Sequence, residues 1–390
     1  MVRTKTGLEV FSRSPLKRLK GKRLGLLANP ASVTPDFCHA SGILSRIYPG
    51  QLKALFSPQH GFYAQKQDNM IESDHSWDKA LDIPVFSLYS SVRKPCTEML
   101  DTIDTLIIDL QDAGTRVYTF IYTISLCLEA AAAMGKEIIV LDRPNPVGGT
   151  AVEGNLLDMA YSSFVGRYPI PMRHGLTVGE ISRLFNTRYG IHADLTVIPM
   201  QGWQRQMLFH DTGLPWIAPS PNLPTAASTI VYPGQVIFEG TNVSEGRGTT
   251  QPFEIFGAPF LETDLILEAV RNRTPGMVLR PLCFEPTSNK WQLQACHGFQ
   301  MHVTDALVFR PYKTSLLLLQ AIVKYHSDQF QWKQPPYEYD FHNLPIDLIL
   351  GSRTLRERIG AMEDLDDLEK EWQKDCLDFQ QISRGIWLYD

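Results

Sequence analysis

Short apolar runs, each ending in polar residues, alternate with helix-like segments through the first 150 residues. The runs cover residues 22–29, 52–58, 83–89, 104–112 and 136–143. Almost continuous apolar runs of this length are typical of strands buried on both faces, as in parallel sheets. An alanine-rich segment between the last two runs predicts a helix that ends at Gly135. This alternation predicts an α/β fold with a doubly wound parallel sheet and right-handed crossovers.

Polar side chains follow every predicted strand, and the second strand opens a polar stretch that also includes Asp68 and Asn69. The residues at the five strand ends are Asn29, then Gln59 and His60, Tyr89, Gln111 and Asp112, and finally Asp142, Arg143 and Asn145. Ligands bind outside the carboxyl ends of parallel strands. A turn or capping role would explain any single residue, but their occurrence at every strand end favours a binding site.

Beyond residue 160 the chain is richer in turns. Thr177 and Glu180 form a capping-box pattern that predicts a helix through Phe185. Residues 216–225 contain three prolines and are predicted to form a rigid linker or site-lining loop near a domain boundary. Because 390 residues exceed what one core usually serves, we expect two domains, divided near residue 225.

The composition argues against several classes of function. The formal net charge is -5 and no long basic run is present, which argues against a nucleic-acid partner. No apolar run reaches the roughly 18 residues that a membrane span needs, and the first residues lack a signal-peptide pattern. We expect a cytoplasmic protein whose six cysteines are reduced.

The usual cofactor motifs are absent from the sequence. The turn after the first strand reads NPASV rather than GxGxxG, and no GxxxxGK[ST], GxSxG or HExxH motif occurs. No nucleotide, metal or other cofactor is therefore expected.

Two early segments combine residues that could bind or react. In SPQHG, His60 could contact a ligand hydroxyl or orient Gln59, or be satisfied within its own loop. In DLQDAGTRVYT, Arg116 and Tyr118 follow Asp112 at the predicted start of a helix. Arg116 could bind an anion there, or pair with Asp112 in a capped helix.

Two later segments are further candidates. VLDRPNPVGG contains Asp142, Arg143 and Asn145 and is followed by Glu153; an Asp–Arg pair could be structural, although ionised groups are unusual in a core. FEGTNVSEGRGTT contains Glu239, Asn242, Glu245 and Arg247 among glycines, which let the backbone approach a ligand closely. Many amides, several carboxylates and arginines, and the aromatic residues Tyr63, Tyr118, Tyr122, Trp203 and Trp216 together favour carbohydrate recognition.

An ordered series of motifs resembles the DUF1343 family, the NamZ-like exo-β-N-acetylmuramidases of glycoside hydrolase family 171. The motifs include GLLANPAS, LFSPQHGF, DLQDAGTRVYTFIYT, VLDRPNPVGG, VEGN, PIPMRHGLTVGEI, PSPNLPT and FEGTNVSEGRGTTQPFEIFGAPF. The resemblance implies a Rossmann-like domain over residues 1–225 and a smaller α+β auxiliary domain over residues 226–390 that closes the cleft, with the site between the two domains. It also implies release of non-reducing-end N-acetylmuramic acid from peptidoglycan fragments, without a nucleotide or metal.

One position departs from the family pattern. The second-strand motif of the family usually reads Pro-Glu-His-Gly, and its glutamate is a leading candidate for a catalytic carboxylate; here the residue is Gln59. Glycosidases generally use two carboxyl groups, and loss of a general acid or base costs on the order of 10²–10⁴-fold in rate. The missing carboxylate could come from Glu72, Asp112, Glu153, Glu239 or Glu245. Alternatively, the reaction differs, or the protein binds an amino sugar without cleaving it.

The sequence thus predicts a hydrolase for a terminal β-N-acetylmuramide; the alternatives are an amino-sugar-binding or sensing protein and a glycosidase for another sugar. The lactyl carboxylate of muramic acid calls for a cation, and Arg247 is preferred over Arg116 and Arg143. Predicted catalytic residues are Gln59, His60, Asp112, Glu153, Glu239 and Glu245. Predicted substrate-binding residues are Asn29, Gln111, Arg116, Tyr118, Asp142, Arg143, Asn145, His174, Asn222, Asn242 and Arg247.

Overall fold

A computed structural model describes residues 3–67 and 70–390 of the chain. The predicted polar stretch after the second strand is therefore described without Asp68 and Asn69, which lie outside these ranges.

The first part of the chain forms a seven-stranded sheet. Its strands are β1 (Leu24–Ala28), β2 (Leu52–Ser57), β3 (Ser76–Asp78), β4 (Ile83–Ser87), β5 (Thr105–Asp109), β6 (Glu137–Leu141) and β7 (Asp194–Ile198). Their order is β3-β4-β2-β1-β5-β6-β7. All neighbouring pairs are parallel except β3 and β4 at one edge. The predicted α/β sheet is confirmed, and β3 and β7 extend it beyond the predicted strands.

Five helices accompany this sheet in the described ranges: α1 (Gly7–Arg13), α2 (Ala40–Ile47), α3 (Thr97–Leu100), α4 (Phe120–Met134) and α5 (Val178–Arg188). The predicted end of α4 is confirmed, because Gly135 caps it with a left-handed backbone at φ 60°. The predicted capping box of α5 is also present, since the Thr177 side chain accepts from Glu180 N and the Glu180 side chain accepts from Thr177 N.

The second part of the chain contains a smaller antiparallel sheet with the order β8-β10-β9. Its elements are α6 (Ala226–Gln235), β8 (Ile255–Ala258), α7 (Thr263–Ala269), β9 (Met277–Phe284), β10 (Cys296–Val303), α8 (Pro311–Tyr325), α9 (Pro345–Leu350), α10 (Arg353–Gly360) and α11 (Leu365–Ser383). Buried apolar side chains of both parts, such as Ile138 and Phe256, belong to one continuous cluster. The boundary near residue 225 stays a prediction.

The residues after α11 return to the large sheet. The Tyr389 hydroxyl donates to Asp142 Oδ2 at 2.5 Å, and Leu388 N donates to Glu180 Oε1 at 2.9 Å. Both acceptors are buried carboxylates close to the carboxyl end of β6. The C-terminal segment thus completes the hydrogen bonding of the N-terminal sheet.

Two further features concern the whole described chain. None of its helices combines the length and apolar character that crossing a membrane requires. The six cysteines, all of them in the described ranges, have no disulfide partner.

Candidate active site

A small cavity of about 40 Å³ lies where residues from the ends of the large sheet meet residues of the second part. Its polar lining includes six of the predicted site residues: Gln59, His60, Tyr118, Asn222, Glu239 and Arg247. Thr119, Ser220, Tyr337 and Glu338 also line it. Ser220 and Asn222 belong to the proline-rich loop, which was predicted as either a linker or a lining of the site.

Gln59 follows β2 and is held in a fixed orientation. Its Oε1 accepts from the Thr119 hydroxyl at 2.8 Å, and its Nε2 donates to Glu338 Oε1 at 3.1 Å. The side chain is buried. The amide therefore presents its donor, and not its acceptor, to the carboxyl of Glu338.

His60 lies beside Gln59 in a left-handed backbone conformation, with φ 75°. Its Nδ1 is 2.7 Å from the Lys66 carbonyl, which fixes the ring within its own loop. The ring is also part of the cavity lining. The ring of His60 is thus hydrogen-bonded within its own loop and also lines the cavity; its contact with a ligand stays a prediction.

Arg247 joins the two carboxylates of the glycine-rich segment. Its Nη2 donates to Glu239 Oε1 at 2.7 Å, and its Nε lies 3.1 Å from Glu245 Oε1. Tyr337 donates to the other oxygen of Glu239 at 2.8 Å. Nη1 of Arg247 is buried and has no hydrogen-bond partner among the described residues.

Glycines on both sides set the backbone at Arg247. Gly246 and Gly248 have φ values of 80° and 79°, a conformation that L side chains rarely adopt. A Cβ at Gly246 would collide with the Ile255 carbonyl, and one at Gly248 with the Ser288 backbone. The turn that aims Arg247 at the cavity therefore requires both glycines.

Glu245 has a different environment from Glu239. Lys290 Nζ donates to its Oε2 at 2.7 Å. Although burial acts in the opposite direction, the charges of Lys290 and Arg247 lower the pKa of Glu245 below its usual value. Glu245 lies in an adjoining chamber of about 200 Å³, which shares Glu239, Arg247 and Tyr337 with the inner cavity.

Glu338, which is not among the predicted site residues, lies in the inner cavity and is 4% exposed. The Tyr89 hydroxyl donates to its Oε2 at 2.7 Å. Burial raises the pKa of Glu338 above its usual value, although the hydrogen bonds from Tyr89 and Gln59 act against this shift. The segment PPYEYD, a glutamate between two tyrosines after two prolines, was the available signal.

The loop of Glu338 is held from outside by aromatic and charged contacts. The Arg93 guanidinium lies between the rings of Tyr89 and Tyr339, at 4.1 and 4.0 Å from their centroids. Glu72, one of the carboxylates considered as a replacement, accepts from the Tyr339 hydroxyl at 3.1 Å. Glu72 is therefore placed on the outer side of this loop rather than in the cavity lining.

Arg116 is fully buried and lies away from the cavity lining. Its Nη1 donates to the carbonyls of Asn155 and Ile170, and its Nη2 donates to those of Ile349 and Leu350. Neither predicted role, an anion site or a pair with Asp112, matches this placement, because both terminal nitrogens are used by main-chain oxygens. Arg116 instead joins the two parts of the chain.

Several predicted site residues that follow strands of the large sheet form hydrogen bonds with the protein itself. Asn29 and Gln111 bond mainly to neighbouring loops: Asn29 Oδ1 accepts from Ala31 N, and Gln111 Nε2 donates to the carbonyls of Asp112 and Pro144. Asp112 Oδ2 accepts from Gly114 N at 2.6 Å and lies 3.7 Å from His174 Nε2.

The predicted group after β6 is likewise used within the fold. Arg143 forms a two-point ion pair with Asp109, at 2.5 and 2.9 Å. Asp142 accepts from four donors, including Gly179 N at 2.7 Å. Asn145 bridges Leu176 O and Val147 N. These side chains do not line the inner cavity, and their polar atoms are hydrogen-bonded to other parts of the fold; Arg143 lines a separate cavity of about 20 Å³.

Glu153 and Asn242 lie in other places. Glu153 Oε1 accepts from Lys313 N at 3.0 Å near the start of α8, and its carboxyl lines a separate cavity of about 220 Å³. Asn242 bonds to the backbone of Gln329 and Gln331. Neither Glu153 nor Asn242 lines the inner cavity with Gln59.

The remaining features can be placed briefly. Of the five aromatic residues predicted to contact a sugar, Tyr118 lines the inner cavity, whereas Tyr63, Tyr122, Trp203 and Trp216 do not. A larger cavity of about 640 Å³ contains none of the predicted site residues. Within residues 3–67 and 70–390, no cluster of three or more His, Cys, Asp or Glu side chains is arranged to hold a metal ion.

Solved structures with a similar fold include two DUF1343 family proteins from Bacteroides fragilis NCTC 9343. One has a TM-score of 0.88 and 34% identity, with all of both chains covered. The other has a TM-score of 0.75 and 28% identity, covering 100% of this chain and 99% of that one.

The sequence comparisons point in the same direction. The chain is 40% identical to the peptidoglycan β-N-acetylmuramidase NamZ of Bacillus subtilis (strain 168), over 99% of this chain and 92% of that protein. Residues 24–227 match the N-terminal model, and residues 230–389 the C-terminal model, of exo-β-N-acetylmuramidase NamZ. The chain belongs to the NamZ family of exo-β-N-acetylmuramidases.

Proposed function

We propose that this chain is a glycoside hydrolase that releases β-linked N-acetylmuramic acid from the non-reducing end of peptidoglycan fragments. Family membership supports the activity. The inner cavity supports the site, because it combines carboxyl groups with a buried arginine. Hydrolysis of a glycosidic bond generally requires two carboxyl groups in different roles.

The observation that carries the substrate assignment is that Nη1 of Arg247 has no hydrogen-bond partner within the described ranges. N-Acetylmuramic acid differs from N-acetylglucosamine by a lactyl group with a carboxylate, which calls for a charged donor. Nη2 and Nε of Arg247 are directed at Glu239 and Glu245. Nη1 of the guanidinium, with its two N–H groups, is therefore left for a carboxylate of the substrate.

Glu239 is proposed to be the ionised carboxylate that acts on the anomeric carbon. Its carboxylate is ion-paired with Arg247 and accepts a hydrogen bond from Tyr337. In glycoside hydrolysis the anomeric carbon gains positive charge in the transition state, and a fixed carboxylate stabilises that charge or attacks the carbon. His60, Tyr118 and Asn222 are proposed to bind hydroxyl and acetamido groups, since all three line the cavity.

The inner cavity must widen to admit a sugar. Its volume of about 40 Å³ is close to that of one water molecule, about 30 Å³. The adjoining chamber of about 200 Å³ shares three lining residues with it. Displacement of the lining loops would join the two spaces into one site.

The alternative of a sugar-binding protein without activity is not favoured, because a relative with 40% identity is a curated enzyme. The cytoplasmic location stays a prediction.

The test is the release of free N-acetylmuramic acid from a disaccharide that carries it at the non-reducing end. We expect the wild type to release the sugar and Glu239→Gln to be slower by at least about 10²-fold. Glu357→Gln, a half-exposed carboxylate on α10, is the matched control and should behave as the wild type. Binding of muramic acid without any release by the wild type would overturn the hydrolase proposal in favour of a binding protein.

A further inference from the structure

We infer that Glu338 is the catalytic acid that protonates the glycosidic oxygen of the leaving sugar. The inference rests on the proposed hydrolysis and adds the second carboxyl group that this reaction needs. In the wall of the inner cavity, as far as the structure describes the chain, the carboxyl-bearing side chains are Glu239 and Glu338. Glu239 is committed to the ion pair with Arg247, so Glu338 is available for the acidic role.

The surroundings of Glu338 suit a group that gives up a proton. Tyr89 donates to Oε2 at 2.7 Å and Gln59 donates to Oε1 at 3.1 Å. Both donors stabilise the carboxylate that remains after the proton has left. In the resting protein, burial raises the pKa of Glu338 and favours the protonated acid, and the charge of Glu239 adds to this effect.

The backbone at this position is unusual for its residue types. Glu338 and Tyr339 have φ values of 44° and 69°, two successive non-glycine residues with positive φ. Such strained conformations cluster at functional sites, where the surrounding structure holds a side chain in a particular direction. Here they direct Glu338 inward and Tyr339 outward, toward Arg93 and Glu72.

The chemical step requires no reactant other than the substrate and water. The proton of the Glu338 carboxyl moves to the glycosidic oxygen as the bond from that oxygen to the anomeric carbon breaks. The electron pair of the bond stays on the oxygen, which leaves as the hydroxyl of the departing sugar. Water then supplies a hydroxyl to the anomeric carbon, directly or after a covalent intermediate, and its released proton restores the acid.

The experiment compares two substrates that differ in their need for an acid. One is the disaccharide with terminal N-acetylmuramic acid, and the other is the 4-nitrophenyl β-glycoside of N-acetylmuramic acid, whose leaving group departs as an anion. We expect Glu338→Gln to lower kcat on the disaccharide by about 10²–10⁴-fold and on the aryl glycoside by less than about tenfold. The decline of disaccharide activity at high pH should also disappear in this variant.

Two further variants control for folding and position. Glu338→Asp keeps the acid on a shorter chain and should recover part of the disaccharide activity. Glu72→Gln removes a carboxylate on the outer side of the same loop and should leave the ratio of the two activities unchanged.

Equal losses on both substrates, or no loss on the disaccharide, would overturn the assignment of Glu338. Failure of the wild type to cleave either substrate would instead remove the proposed function, and the acid assignment with it.

Discussion

The side-chain amide of Gln59 donates a hydrogen bond to Glu338, with 3.1 Å between Nε2 and Oε1. Thr119 donates to the carbonyl end of the same amide and so fixes its direction. Where the family motif usually has a glutamate, this chain therefore places a neutral donor against a buried carboxyl. Gln59 cannot act as an acid itself, but its hydrogen bond orients the carboxyl of Glu338, which can.

This contact predicts the effect of Gln59→Glu on the pH profile. A second carboxyl within hydrogen-bonding distance of Glu338 disfavours ionisation of the pair, because two like charges would lie side by side. The acid form then persists to higher pH. We expect the decline of kcat/KM on the disaccharide at high pH to move up by about one pH unit or more. Steady-state rates across the pH range measure the shift.

Gln59→Met is the control for this prediction, since it removes the donor without adding a charge. We expect a smaller upward shift in the Met variant than in the Glu variant. A downward shift in Gln59→Glu would contradict the contact between the two side chains.

Arg247 is predicted to distinguish muramic acid from N-acetylglucosamine. Arg247→Lys keeps a positive charge near Glu239 but removes the planar set of donors, and Arg247→Ala removes both. Hydrogen bonds to charged groups contribute about 1.5–3 kcal/mol, so we expect Arg247→Ala to raise the Kd of N-acetylmuramic acid by about 10²-fold. The Kd of N-acetylglucosamine should change by less than about threefold.

Isothermal titration with both sugars measures these constants, and the Lys variant should lie between the wild type and the Ala variant. Equal weakening of both sugars would show that Arg247 does not bind the lactyl carboxylate.

Glu153 is predicted to make stability depend on pH. Burial raises the pKa of its carboxyl to about 7, against about 4.3 in an unfolded chain. The folded state thus holds a proton that the unfolded state has lost, and stability falls as the pH rises between these values. The contribution is about 4 kcal/mol, which is fully present below about pH 4 and lost above about pH 7.

Glu153→Gln should remove this part of the pH dependence, because glutamine does not titrate. Urea denaturation at about pH 5 and about pH 7.5 measures the free energy of unfolding at both ends of the range. The exposed control Glu357→Gln should retain the slope of the wild type. A variant of Glu153 with the full wild-type slope would refute the prediction.

Arg116 is predicted to contribute strongly to stability. Arg116→Met leaves several buried carbonyls without a donor, at about 1–3 kcal/mol each, so we expect the free energy of unfolding to fall by more than about 3 kcal/mol. Arg353→Met removes an exposed ion pair with Glu357 and should cost less than about 1 kcal/mol. Chemical denaturation compares the two variants.

The sequence was most informative about local structure. Apolar runs located β1, β2, β4, β5 and β6 to within a few residues, and Gly135 and the Thr177 capping box marked helix ends. These signals depend on neighbours along the chain, so they are visible without the fold.

The candidate site was harder to predict, because polar groups at strand ends can either bind a ligand or form hydrogen bonds within the fold. Asp142, Arg143 and Asn145 look like Gln59 and His60 in the sequence, yet their atoms are consumed by nearby donors and acceptors. Glu338 shows the opposite case. It reaches the cavity through a loop far away in the sequence, and only the tertiary structure brings it to Gln59 and Tyr89.

The return of the C-terminal segment to β6 has a consequence for how the protein is made. Asp142 lies 247 positions before Tyr389, the residue whose hydroxyl completes its set of donors. While residues 388 and 389 are still inside the ribosome, the large sheet can already bury its apolar side chains. The carboxylates of Asp142 and Glu180, however, still lack the donors that these two residues supply. Contacts of such long range form late. The N-terminal sheet therefore reaches its final state only after residues 388 and 389 have been synthesised, and replacing these two residues would affect the first half of the chain more than the second.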